Sequence, residues 1–305
     1  MKAVVVTDQA AGTAGMTVAE RPEPEAGIND VLVEVRAAGF TPGELTWPGT
    51  WTDHLGRDRT PSIPGHEVAG VVRALGYGTR GLTVGQRVFG LATWDRDGTL
   101  AESVAVEARN LAPLPGDVDF AVGASLPISG LTAWQGLFVH GRFEVGQSVL
   151  VHGAAGGVGS MVAQLAREAG AYVVGTGRAP DRQSALDFGA HEFLDLAADA
   201  LDDAGGVDLV FDVIGGEIGK RSAGVVRPGG TLVTIAGPPE ATPQDGVAVD
   251  FVVEADRGQL GEIVARVRDG RLRTNIDRVV SLDDAPAAFN ATARVVGKTV
   301  VRVRP

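Results

Sequence analysis

The chain reads as an α/β protein in two parts, a β-rich region joined to a doubly wound sheet of parallel strands. Three observations predict this. Its 305 residues are more than one hydrophobic core ordinarily serves. The first ~120 residues carry short β-rich runs punctuated by Gly and Pro. From Ser148 onward, apolar runs alternate with helix-length segments, the pattern of right-handed crossovers between parallel strands.

In the front region, Lys2–Thr7, Asp30–Ala38, His66–Ala74 and Gln86–Leu91 are predicted strands. Pro22, Pro24, Pro42, Pro48, Pro61 and Pro64 mark the loops between them. Helical spacing begins at Asp119–Ser129 and Leu131–His140. Strand Ser148–His152, helix Val158–Ala169, strand Tyr172–Thr176, helix Arg182–Phe188 and strand Glu192–Leu194 then alternate. Strand Val207–Val213, helix Glu217–Val225 and strand Thr231–Ile235 continue the series, and Val249–Val253 adds an edge strand. Helix Gln259–Arg268, strand Asn275–Val280, helix Asp283–Asn290 and strand Lys298–Val303 close the chain.

Composition narrows the function classes. Lys and Arg number 27 against 38 Asp and Glu, a net charge of −11. That charge repels phosphate backbones and anionic bilayers, so neither nucleic acid nor a membrane is an expected partner. There is no cysteine, which excludes disulfides, thiolate zinc ligands and a cysteine nucleophile. No apolar run approaches the roughly 20 residues of a membrane span. The opening MKAVVVTDQAAG reads as a strand and not as a secretory leader, so a soluble, cytoplasmic protein is expected.

The most informative stretch runs from Val149 to Gly170: an apolar strand, a Gly-rich turn and a helix closed by Gly170. The dinucleotide fingerprint GxGxxG reads here Ala154-Ala155-Gly156-Gly157-Val158-Gly159, with Ala in the first position. Gly156 lets backbone approach a pyrophosphate, Gly159 lets helix pack on strand, and the helix N-terminus offers N–H groups to phosphate. Ala155, Gly156, Gly157 and Val158 are the expected phosphate contacts. An NAD-specific site places an acid ~20 residues further on, at the tip of the second strand. The tip here reads Gly175-Thr176-Gly177-Arg178, without a carboxylate. Arg178 and Arg182 are suited to a 2′-phosphate, so Gly177, Arg178 and Arg182 are expected to select NADPH. Asp181 lies beyond the turn, where an acid caps a helix.

The order of parts resembles the medium-chain dehydrogenase/reductase superfamily. Pro64-Gly65-His66-Glu67-Val68-Ala69-Gly70 is similar to its N-terminal signature, and Val84-Gly85-Gln86-Arg87-Val88 to its GDRV strand. His152–Gly159, HGAAGGVG, resembles the quinone oxidoreductase branch. The likeness implies a GroES-like catalytic domain over 1–121 and 256–305 and a Rossmann domain over 122–255. It further implies a cleft between them and a homodimer joined through the sheet edge near Val249–Val253. Zinc-dependent relatives add a Cys before the first catalytic loop, which here reads Ala38-Gly39-Phe40-Thr41-Pro42. One His without partners falls short of the three protein ligands of a catalytic zinc, so no functional metal is expected and His66 is assigned a hydrogen-bonded structural role.

Where quinone oxidoreductases carry an Asn and then a Tyr, this chain has Thr41 and Thr46. The resemblance also places Thr132, the turn Ala236-Gly237 and Phe251 beside a nicotinamide. Trp47 and Trp51 flank a Pro/Gly-rich loop that suits a flat substrate, or else pack in the β core. The expected activity is zinc-independent, NADPH-dependent hydride transfer to a quinone or similar conjugated carbonyl. Catalysis would rest on Thr41, Thr46 and Trp47, with no dedicated general acid evident. An alkene (enoyl or enone) reductase and a non-catalytic NADPH-binding protein remain as alternatives.

Overall fold

In the computed structural model, which describes residues 1–292 and 294–304, the chain divides into two compact units. The first comprises residues 1–127, 255–268 and 276–305, and the second residues 128–254 and 269–275.

The first unit is β-rich because its apolar residues alternate along short strands. Strands β1 (Lys2–Val5) and β2 (Thr17–Glu20) form an antiparallel pair. β3 (Asp30–Gly39), β4 (Glu67–Leu75), β5 (Arg87–Leu91), β6 (Ser103–Glu107) and β7 (Leu111–Pro113) follow. They share a seven-stranded sheet with two strands from the chain's end. β3 is its centre, pairing with β4 over most of its length and with β6 through Asp30–Glu34. Its Val31, Val33 and Val35 are fully buried, as period-two alternation on a one-sided sheet requires. Sequence reading found β1, β3, β4 and β5 to within one or two residues. β2, β6 and β7 escaped it; each is only three to five residues long, too short for its alternation to stand out. A short helix α1 (Pro48–Trp51) follows the loop that carries Thr41.

Helix α2 (Phe120–Ser125) starts at Asp119, whose carboxylate accepts from Ala121 N–H at 2.8 Å. α3 (Pro127–Trp134) runs into a π-helical turn, Gln135–His140. In the second unit, β8 (Ser148–Val151), α4 (Gly157–Glu168), β9 (Tyr172–Gly177), α5 (Arg182–Asp187) and β10 (Glu192–Asp195) alternate as read from sequence. β11 (Val207–Asp212), α6 (Gly216–Ser222), β12 (Val226–Thr234) and β13 (Val247–Asp250) complete it. The order is β10-β9-β8-β11-β12-β13, all parallel, with the order reversing beside β8. Such a reversal is where open α/β sheets bind ligands. The chain then returns to the first unit through α7 (Arg257–Arg268), β14 (Ile276–Ser281), α8 (Ala285–Phe289) and β15 (Lys298–Arg302).

Close packing of α4 against the glycine turn explains part of the fingerprint. A Cβ on Gly159 would overlap the carbonyl oxygen of Gly153, whereas one on Gly156 would stand 3.1 Å from the same oxygen. Gly159→Ala is therefore expected to cost about 1–3 kcal/mol, as overpacking does, and Gly156→Ala much less. Urea unfolding of both variants checks this; a Gly159→Ala protein as stable as the parent would show that helix and turn do not meet as described.

Candidate functional site

The nucleotide side is built in the second unit from the C-terminal ends of β8 and β9. β8 delivers a turn through Gly153 (φ 60°), and Gly156 caps α4 in an extended conformation. The first-turn N–H groups of a helix have no partner inside it, which suits them to an anion. Ala155 is buried, whereas Gly156, Gly157 and Val158 are half-exposed. The Nδ2 of Asn275 donates to Ala155 O at 2.7 Å and Gly156 O at 3.4 Å, holding the carbonyl side of the turn. Sequence reading missed Asn275, which lies 119 residues beyond Gly156 in a segment with no motif of its own.

β9 ends at Gly177, and Arg178 follows it with an exposed side chain. Asp181, the nearest acid, is buried and accepts from Arg178 N–H at 3.2 Å, so its carboxylate serves its own turn. Arg182 is exposed but engaged, 4.0 Å from Asp199 and over the ring of Phe193 at 5.1 Å. Thr132 is buried on α3. Ala236 is exposed after β12, its N–H bonded to Thr234 Oγ1 at 3.2 Å, and Gly237 next to it has φ 121°. Phe251 stacks on His140 at 4.4 Å, and Gln135 pins the following backbone through Glu254 at 2.8 and 3.0 Å.

The first unit carries the other expected site residues. Thr41 is half-buried, and its N–H donates to Glu44 Oε1 at 2.8 Å. Thr46 is exposed and gives its hydroxyl to Gly43 O at 2.7 Å. Trp47 is half-buried, edge-on to Trp94 at 4.9 Å and stacked with His66 at 5.8 Å. Trp51 belongs to the core, its Nε1–H bonded to Leu45 O at 2.8 Å, so the aromatic surface is Trp47 with Trp94. His66, expected to be a hydrogen-bonded structural residue, is buried without that bond; neither ring nitrogen has a hydrogen-bond partner.

The residue that sequence reading passed over is Glu44. It is fully buried, with Oε2 lacking a hydrogen-bond partner and 3.6 Å from His66 Nε2. Burial pushes its carboxyl up to about 8, against backbone bonds from Thr41 and Gly65 and with Glu67 adding repulsion. Burial likewise lowers His66 to about 3, with Arg59 contributing. Burial thus disfavours the charged form of both Glu44 and His66. Glu67, equally buried, is ion-paired with Lys298.

Family models place these units. Residues 27–116 match the alcohol dehydrogenase GroES-like domain and residues 188–301 the zinc-binding dehydrogenase model. Mouse quinone oxidoreductase is 33% identical over 303 residues, covering 91% of this chain and 89% of the mouse protein. The chain belongs to the medium-chain dehydrogenase/reductase superfamily, in its quinone oxidoreductase-like branch. Tomato 2-methylene-furan-3-one reductase is 31% identical, covering 92% of this chain and 74% of the tomato protein. The structure of the quinone oxidoreductase from Coxiella burnetii superposes with a TM-score of 0.89 at 26% identity, covering 100% of this chain and 99% of that one. The chain also spans 14% of the length of a Streptomyces orinoci polyketide synthase system protein, at 34% identity. Membership makes the protein an oxidoreductase of a family that binds nicotinamide cofactors, and the glycine turn fits such a ligand. Zinc does not fit the donors. His66 has a single carboxylate neighbour between two Trp rings, and no group of three metal-ligating side chains exists among the described residues.

The two buried groups give opposite pH dependences. The fold raises Glu44 from 4.5 to about 8, so between those values the folded chain holds a proton the unfolded chain has lost, and stability falls as pH rises. The fold lowers His66 from 6.5 to about 3, so its contribution is lost as pH falls through that range. The two slopes oppose each other below pH 6.5 and leave Glu44 alone above it. Between pH 6.5 and 8 stability should fall at up to about 1.4 kcal/mol per pH unit, and Glu44→Gln should flatten the curve. Urea unfolding across that interval decides; parent and variant curves of equal slope would mean Glu44 is ionised in the fold.

Proposed function

We propose that the protein is a zinc-independent, NADPH-dependent reductase of quinones or similar conjugated carbonyls. The observation that carries the cofactor choice is the tip of β9, where Arg178 is exposed and the nearest acid, Asp181, is buried against its own turn. A 2′-phosphate there meets an exposed guanidinium, with the Asp181 carboxylate turned to its own backbone. NADPH, when bound, supplies the hydride. Ala155, Gly156, Gly157 and Val158 hold its pyrophosphate; Gly177 and Arg178 hold the 2′-phosphate end, with Arg182 as a second cation. Thr132, Ala236, Gly237 and Phe251 orient the nicotinamide.

The donors around His66 offer no Lewis acid, so the acceptor must spread the incoming charge over its own conjugated oxygen. Thr41 steadies that oxygen by hydrogen bonding, while Thr46 and Trp47 shape the acceptor side and exclude water. Mouse quinone oxidoreductase supports the quinone reading. The tomato furanone reductase supports enone reduction as the second reading, and product analysis separates hydroquinone from a saturated ketone. A homodimer is part of the proposal: β13 is an unpaired sheet edge, with Val247 and Val252 exposed beside it.

Steady-state kinetics with chelator-treated protein and a panel of quinones and enones should show NADPH oxidation without added metal. NADPH binding with no turnover on any member would favour a non-catalytic nucleotide-binding protein, and activity that returns only with zinc would refute metal independence. A charge-assisted bond is worth about 1.5–3 kcal/mol, so Arg178→Ala should weaken NADPH about ten- to a hundredfold and spare NADH. Equal kcat/KM for the two cofactors in the parent would refute the assignment. Sedimentation at micromolar concentration should show a dimer, and a monomer alone would remove that part of the proposal.

A further inference from the structure

His152 closes β8 and is completely buried, in a family of contacts that its neighbours in sequence do not explain. Its Nδ1 lies 2.7 Å from Thr176 Oγ1, on the last turn of β9, and its Nε2 lies 2.6 Å from Ser222 Oγ, at the end of α6. Thr176 and Ser222 are also fully buried, so water does not share these bonds.

The proton positions follow from the rest of the chain of bonds. Ser222 Oγ–H donates to Ile218 O at 2.7 Å, and a carbonyl can only accept. The Ser222 oxygen therefore accepts from the ring, which puts the ring proton on Nε2. Nδ1 is then the bare nitrogen, and Thr176 donates its hydroxyl proton to it. The backbone reinforces the same junction, for Ala154 N–H donates to Thr176 O at 3.0 Å. Two bonds, one from a side chain and one from the backbone, thus tie residue 176 to the start of the glycine turn. Residues 177 and 178 come next.

We propose that His152, fixed as its Nε2–H tautomer between Thr176 and Ser222, is a positioning residue that sets the Arg178-bearing tip of β9 against the glycine turn and so governs the grip on the 2′-phosphate of NADPH. This rests on the assignment of Arg178 above. His152 touches no phosphate; it acts through Thr176, whose side-chain bond holds the strand end from which Gly177 and Arg178 extend.

The test uses adenosine 2′,5′-bisphosphate as the probe of the 2′-phosphate site and adenosine 5′-monophosphate as its control, with the full-length protein. Thr176→Val keeps the shape of the side chain and removes the donor. It should weaken the bisphosphate about three- to tenfold, the worth of one ordinary hydrogen bond, and leave the monophosphate unchanged. Thr176→Ser, which restores the hydroxyl, should bind as the parent does. Nitrogen-15 spectra of the parent's His152 ring should show a protonated Nε2 and a bare Nδ1 with no ligand present, and Ser222→Ala should disturb that pattern. If Arg178→Ala binds the bisphosphate as tightly as the parent, the cofactor assignment fails and this inference with it. If Arg178→Ala weakens binding but a folded Thr176→Val does not, the clamp alone is overturned. A parent ring protonated on Nδ1, or on both nitrogens, overturns it whether or not Thr176→Val folds.

Discussion

The nucleotide-binding unit depends on how closely α4 approaches the turn that precedes it. The carbonyl of Gly153 lies where any side chain on Gly159 would have to stand, and the nearest atom to a Cβ on Gly175 would be Ala154 Cβ at 2.8 Å. Interiors pack at crystal-like density, so a single extra carbon at such points must displace backbone. That proximity brings the helix N-terminus to the C-terminal end of β8 and leaves its first N–H groups there. β9 and the Arg178 turn are laid against the same junction through Thr176 and Ala154.

The first unit solves a different problem, the burial of ionisable groups. Glu67 and Lys298 are buried as an ion pair. Glu44 and His66 are buried with the carboxyl raised and the imidazole lowered by loss of water. Three of their polar atoms, Glu44 Oε2 and both His66 nitrogens, lack partners. An unsatisfied buried polar atom costs about 1–3 kcal/mol. Thr41 is tied to it through Glu44 Oε1. The loop expected to face the substrate is therefore anchored on a buried acid, and the aromatic surface of Trp47 and Trp94 covers the imidazole beside it.

Much of this was legible in the residues. Alternation of strand and helix from Ser148 onward predicted the parallel sheet because each period answers to a geometry, two residues per pleat and 3.6 per turn. The glycine fingerprint predicted the turn because only residues without a Cβ tolerate that approach. The cysteine count and the spacing of histidines leave the sequence short of the usual zinc ligand set. All of these are local or compositional properties, and a single sequence carries them in full.

The rest was decided by contacts between residues far apart along the chain. Asn275 reaches the glycine turn from 119 positions away. Ser222 fixes the tautomer of His152 across 70 residues. Nothing in PGELTWPG marks Glu44 as buried, since a Glu three residues after Thr41 reads as a capping acid, and only the burial the fold imposes raises its carboxyl. Arg178 and Arg182 both suited a 2′-phosphate in sequence, and the fold sets Arg182 against Asp199 and Phe193. Local pattern determined the elements and the phosphate-binding turn because steric and periodic constraints act within a few residues. Protonation, hydrogen-bond partners and the different surroundings of the two arginines depend on which distant groups share a space, and only tertiary packing assigns that.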